Sequence, residues 1–237
     1  MGRRATGRRA AATAIAGWRD VYEAWFPPGL EDADLAVQRA AVNRWFRGRA
    51  DAVPASLAPM VAAARAGRLD HWTVTPVGQL LLILLADPVA RILLAGRPEA
   101  FAGEGVALRL AEDGLRRGHY EALVRPWEKI FFLMPLAEAE GPRHPVRLER
   151  AAALAEQLVA EVPGPQQPLY WFALGQIRAY QDQIARFSRF PQRNAVLGRP
   201  STRAEFDHLH SVDSGRRRWP DRQVPTAQPP QWRLSGC

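Results

Sequence analysis

The chain has 237 residues, 47% of them apolar, enough to bury a full core as one large domain or two small ones. Residues 1–17 hold four Arg and no acid, and residues 211–237 hold five Arg and two Asp, so +7 of the +8 net charge lies in these two ends. The intervening stretch is nearly neutral, which argues against a nucleic-acid-binding core and leaves only weak, salt-sensitive polyanion contact to two basic tails.

Helical periodicity runs through the rest. Val21, Ala24 and Trp25 share a helical face before Pro27-Pro28-Gly29 stops the segment. Asp34 is placed to cap a second helix carrying Leu35, Val42, Trp45 and Phe46. A third runs from about Ser56 to Ala66 and ends at Gly67. Thr75-Pro76 opens a strongly apolar helix through Leu85, since Pro suits the first helical turn. Further helices are expected over Pro98–Arg117, Tyr120–Met134, Pro145–Val162 and Pro168–Phe187, and Ser201-Thr202-Arg203-Ala204-Glu205 resembles a capping signal for a last short one. The pattern predicts an all-α domain over 18–210, with eight or nine antiparallel helices, between a flexible tail (1–17) and a disordered one (211–237).

The lone cysteine, Cys237, permits no intramolecular disulfide, and the Ala-rich start lacks the apolar stretch of a secretory leader. The longest uncharged apolar run, Val77–Ala86, is too short to span a bilayer. These features predict a cytoplasmic protein with no membrane contact.

The most informative stretch is Ile184–Thr202, where Arg186, Arg189, Arg193 and Arg199 alternate with apolar residues around Pro191. Here R-F-x-R-F-P-x-R-N is followed by L-G-R-x-S-T. With Trp25-Phe26, Trp45-Phe46, Gly67–Trp72, Pro98-Glu99-Ala100-Phe101 and Phe131–Leu136, in this order, the chain resembles the bacterial family called domain of unknown function 924 from about Val21 to Leu209. The resemblance implies an all-helical fold similar to tetratricopeptide-repeat proteins, and no settled activity. Three polar motifs of the family are altered. Asp87-Pro88-Val89-Ala90-Arg91 keeps the Asp and Arg of D-Q-F-P-R-N but loses its amides. Glu138-Ala139-Glu140 stands at the H-S-E-D motif. Tyr180, Ser188 and Gln192 replace a His, a Gly and a second His in the last motif, while Arg189, Phe190, Pro191, Arg193 and Asn194 remain.

Asp87 and Arg91, four apart, share a helical face and pair, or else Asp87 caps a helix opened by Pro88. Two Glu and an Asp without a nearby imidazole make a poor transition-metal site, so neither metal nor cofactor is expected. His71, His119 and His144 are read as surface residues at turns, and the His208/His210 pair is a weak metal signal. Arg189 and Arg193 offer planar forks suited to carboxylate or phosphate. Two arrangements remain open. One is a pocket for a small anionic ligand formed by Arg91, Tyr180, Arg189, Gln192, Arg193 and Asn194, with Asp87, Glu138 and Glu140 as candidate acid–base groups. The other is a buried ion network in which the same acids and arginines satisfy each other. Two functions follow: a module binding a ligand or protein partner, or an enzyme acting on a small anionic substrate. The missing imidazoles favour the first.

Overall fold

In the computed structural model residues 17–46 and 53–214 are described, and among them every regular element is helical. The basic tails expected at the two ends lie outside the described residues, apart from Gly17 and residues 211–214. The chain forms α1 (Trp18–Trp25), α2 (Leu35–Phe46), α3 (Ala58–Arg65), α4 (Pro76–Ala86), α5 (Pro88–Leu93), α6 (Glu104–Arg116), α7 (His119–Ala122), α8 (Pro126–Glu138), α9 (His144–Glu161), α10 (Gln167–Phe187) and α11 (Arg203–Ser214). The all-α class agrees with the sequence, but eleven segments stand where eight or nine helices were expected. Prolines account for the splits: Pro88 parts α4 from α5, Pro98 opens a separate 3-10 turn (Pro98–Phe101), and Pro126 parts α7 from α8. The boundary expected at 210 falls inside α11, which runs to Ser214.

Helix α4 is the axis of the core. Thr75 caps it, accepting the Gly78 N–H at 3.1 Å, and Pro76 fills its first turn. Residues Leu80 to Ala86 are all at most 1% exposed, held among α1, α3, α6 and α8. Apolar burial on this scale is the main stabilising term of such a core. The stretch Pro76–Leu93 is apolar enough to cross a membrane by length and composition, yet 67% of it is buried inside the helical core. Around it, α9 packs along α8 and α10, and α6 crosses α8 at Gly114, where any Cβ would meet the Phe132 ring.

The break after α4 shapes the site described below. The Ala86 carbonyl, freed where the helix breaks before Pro88, is taken by Arg65, through Nε at 3.3 Å and Nη2 at 3.1 Å. Arg65 also donates to the carbonyls of Glu99 (2.8 Å) and Ala100 (3.3 Å), clamping the Pro98–Phe101 turn to the end of α4. Gly103 permits this approach: a Cβ there would sit 1.8 Å from the Ala86 oxygen. The turn thus delivers Phe101 and the start of α6, with Glu104, beside α5.

At the far end, α10 stops at Ser188, whose φ of 59° puts a non-glycine residue in the left-handed region. This is the position where the resembled motif carries Gly. Ser188 is exposed. Ser188→Gly is therefore expected to stabilise the protein by about 1 kcal/mol, read as a rise in urea midpoint at constant slope. An unchanged or lower midpoint would show that strain at this cap is relieved in another way.

Candidate functional site

The family-motif arginines separate into two groups. Pro191 starts a 3-10 turn (Pro191–Arg193), so Arg189 and Arg193 do not continue one helical face. Arg189 turns outward to α11, donating to both Glu205 oxygens at 2.6 and 2.8 Å and to the Pro200 carbonyl at 2.9 Å. Glu205 also accepts the Thr202 N–H at 2.7 Å, and its own N–H donates to Thr202 Oγ1 at 3.2 Å, a reciprocal capping box at the start of α11. These bonds, that from Arg189 first, hold the Glu205 carboxyl at about 2. Arg199 clasps Glu140 through both Nη atoms and donates to the Phe190 carbonyl and to Asn194 Oδ1. Burial opposes ionisation of Glu140, but the Arg199 bonds and the Phe190 N–H at 2.7 Å outweigh it and hold the carboxyl below its ordinary range. Asn194, 1% exposed, bridges Arg199 and Ser201. Gln192 is exposed and pairs with the Gln183 amide at 3.0 and 3.2 Å. Arg189, Glu140, Arg199, Asn194 and Gln192 therefore fasten the chain after α10.

Asp87, Arg91, Glu138, Tyr180 and Arg193 come together elsewhere, around α5. Arg91 donates from Nε to Asp87 at 2.8 Å, from Nη2 to Glu104 at 2.7 Å and from Nη1 to Glu138 at 2.8 Å. Arg193 shares the same Glu104 oxygen at 2.7 Å and donates to the Glu138 carbonyl at 3.1 Å. Its guanidinium lies 5.0 Å from the Phe101 ring centroid and 4.4 Å from that of Phe190, and Arg91 lies 5.2 Å from Phe101. The Tyr180 hydroxyl donates to Glu138 at 3.4 Å. The i,i+4 pairing expected of Asp87 and Arg91 is present; Asp87 precedes α5, but its side chain makes no cap bond there. Glu138 closes α8 and Glu140 follows it, so the two carboxylates diverge into the two groups.

Among the described residues the ion-paired cluster holds three carboxylates against two guanidiniums, one positive charge short of balance. Burial, with the Asp87 and Glu138 charges adding, pushes Glu104 up to about 7 against the pull of Arg193 and Arg91. Burial likewise raises Glu138, and Arg91 only partly offsets it. Burial alone would lower Arg91; its three carboxylates raise it instead. Burial raises the Tyr180 hydroxyl.

Asp87, Arg91, Glu138 and Tyr180 line one side of a cleft of about 260 Å³. Trp25, Trp45 and Phe131 line the other, with Phe131 near perpendicular to both, at 86° and 90°, and centroids 5.3 and 5.2 Å apart. Trp45 donates its indole N–H to the Trp25 carbonyl at 2.8 Å. The Trp25 indole N–H, buried, has no partner among the described residues. Glu104, Phe101 and the tryptophan walls were not foreseen as site residues, although Phe101, Trp25 and Trp45 belong to the short motifs noted in the sequence. Glu104 itself carried no signal beyond an acid in the first turn of a helix.

The histidines follow the expected surface placement only in part. His71 is exposed and His119 half-buried, bonded to Gln79 at 2.5 Å. His144 is fully buried, correcting the expectation: Nε2 bonds the Ala137 carbonyl at 2.8 Å, its ring meets Phe190 edge-on at 5.5 Å, and burial lowers its pKa. His208 and His210 contact Phe187 and Phe206, and no group of three or more His, Cys, Asp or Glu among the described residues is arranged to hold a metal ion.

No curated protein matches the chain. A solved structure of a protein of unknown function from Agrobacterium tumefaciens is similar, with a TM-score of 0.60 and 26% identity over 82% of this chain and 97% of that one. The model of the family described as "Bacterial protein of unknown function (DUF924)" matches residues 21–213, which include the cleft, both ion networks and the Ser188 turn. By that match the chain belongs to the DUF924 family.

Proposed function

We propose that the protein binds a small molecule in the cleft between Trp25, Trp45 and Phe131 on one side and Asp87, Arg91, Glu138 and Tyr180 on the other. The observation that carries this reading is the meeting of apolar rings and convergent polar groups at one concave site, the usual composition of a ligand pocket. The anionic ligand considered from the sequence loses support here. Arg91, Arg189 and Arg193 each already sit on an internal carboxylate, and the cleft's own cluster has a surplus of acid. A binding module for a ligand or protein partner, in the cytoplasm and apart from nucleic acid, fits the nearly neutral sequence between the tails and the burial of the most apolar helix.

An acid–base enzyme is the second reading. It is favoured by Glu138, a carboxyl with raised pKa that lines the cleft beside the Tyr180 hydroxyl. Glu138 would exchange a proton with a bound substrate, with Tyr180 donating to its carboxylate form.

A fragment screen read by indole N–H resonances tests the binding reading. Trp25→Phe and Trp45→Phe assign the two reporters. Saturable shifts at both are expected, and they should vanish in Ile92→Trp, which fills the cleft from α5 while leaving the ion cluster in place. Binders that move only Trp18 and Trp72 would transfer the site to the larger outer groove, of about 750 Å³, that those residues line.

A further inference from the structure

The cleft has two properties that together select a class of ligand. Its polar side belongs to a cluster with three acids and two guanidiniums, to which Asp87 comes from the α4–α5 junction, Arg91 from α5, Glu104 from α6, Glu138 from α8 and Arg193 from the turn after α10. Among the described residues, Tyr180 from α10 also faces it, Arg65 from α3 lies within electrostatic reach of Asp87 while bonded to the Ala86, Glu99 and Ala100 carbonyls, Glu140 and His144 lie beside Arg193, and α1 and α2 line the cleft with Trp25 and Trp45. All five charged groups are largely withdrawn from water, with side-chain exposures between 3 and 21%. A net charge held there is poorly screened. The opposite wall is aromatic, and ring faces attract cations, most strongly when the cation is desolvated.

We propose that the cleft takes an organic ammonium ion with an apolar body. The proposal rests on the small-ligand reading above and names its chemistry. The ammonium group sits toward Glu138 and Asp87 and supplies the positive charge that the cluster lacks. The apolar body lies among Trp25, Trp45 and Phe131. An empty cleft meets the same deficit by holding a proton on the carboxylates, so ammonium binding releases that proton. A carboxylate or phosphate ligand would instead add to the surplus negative charge, and both arginines that could receive it are engaged.

Three probes on one carbon skeleton separate charge from shape: phenylalaninol, which is an ammonium alcohol, uncharged phenylpropanol, and the anion phenylpropanoate. Titration followed at the Trp25 and Trp45 indole resonances is expected to show phenylalaninol binding at least about tenfold tighter than phenylpropanol, with phenylpropanoate weaker still. Glu104→Gln balances the cluster at two acids and two guanidiniums, and should erase most of the ammonium preference while phenylpropanol affinity stays within about twofold. Equal or tighter binding of phenylpropanol or phenylpropanoate at Trp25 and Trp45 overturns the ammonium inference and leaves the cleft reading standing. An ammonium preference that survives Glu104→Gln also overturns it, because charge deficit would not be the cause. If no probe moves either indole, the ammonium inference falls, and the fragment screen decides the cleft reading by itself.

Discussion

Arg91→Met is expected to destabilise the protein by about 3–5 kcal/mol near neutral pH, the largest effect of any single change in the cluster. Methionine keeps the apolar stem and removes the guanidinium, and with it the three ion pairs and the cation–π contact with Phe101. Arg91 is the one cation bonded to all three carboxylates, and Arg193 reaches only Glu104 among them. Without Arg91, Asp87 and Glu138 are left largely buried with no guanidinium partner, and each must either stay charged at a desolvation cost or take a proton. Losing Arg91, which partly offsets burial, raises the Glu138 pKa further above its unfolded value. Stability linked to such groups is fully present below the unfolded pKa and is lost as pH rises through the folded one. The variant should therefore recover part of its deficit toward about pH 5, where protonation is cheaper. Urea midpoints at several pH values measure this. A deficit below about 1 kcal/mol, or one that does not narrow on acidification, would mean that water reaches the carboxylates and that the cluster is not the low-dielectric unit described.

The sequence made some of this cluster legible and hid the rest for physical reasons. Asp87 and Arg91 are four residues apart, and helical geometry alone brings them together. The capping box at Thr202 and Glu205 is local as well, and was readable for the same reason. Glu104 is different. It reads as an ordinary acid in the first turn of a helix, and only the Gly103 approach to Ala86, secured by Arg65, turns it inward to Arg91 and Arg193. Arg193 lies 89 residues away in the chain, a distance at which periodicity carries no information. Arg189 and Arg193 looked equivalent by spacing, yet the turn at Pro191 sends one to α11 and the other to the cluster. His144 was misread because it follows Arg143 at a turn, a place that usually faces solvent; Phe190, returning after α10, covers it. Helix positions were thus set by local pattern, with prolines splitting more segments than periodicity indicated, whereas the members of the site were set by tertiary contacts.

Glu104→Gln should separate the two demands that this site places on the fold. In the wild type, Glu104 holds its proton up to about pH 7, against an ordinary value of 4.5 in the unfolded chain. Its linked stability is therefore complete below the ordinary value and is lost as pH rises through about 7, a decline of roughly 3 kcal/mol across that window. Other groups, Glu140 and the lowered histidines among them, bend the profile the opposite way. Burial lowers His144, so its contribution is present at high pH and lost as pH falls through the unfolded histidine range. Glu205, held at about 2, loses its contribution only in strong acid. The raw profile of the wild type mixes these terms, but the difference between wild type and Glu104→Gln cancels them. That difference should favour the wild type least at high pH, where its cluster carries an uncompensated negative charge and the variant's does not. The variant should be the more stable protein at about pH 8, and its profile should be flatter by roughly 3 kcal/mol. Parallel profiles would mean that Glu104 ionises normally and that the cluster has no charge deficit. Saturating phenylalaninol at about pH 8 adds a second constraint: by mass action it should stabilise the wild type and close much of the gap to the variant, because both the ligand and the amide answer the same missing charge. A gap that closes equally with phenylpropanol would assign the stabilisation to apolar contact with Trp25, Trp45 and Phe131 instead.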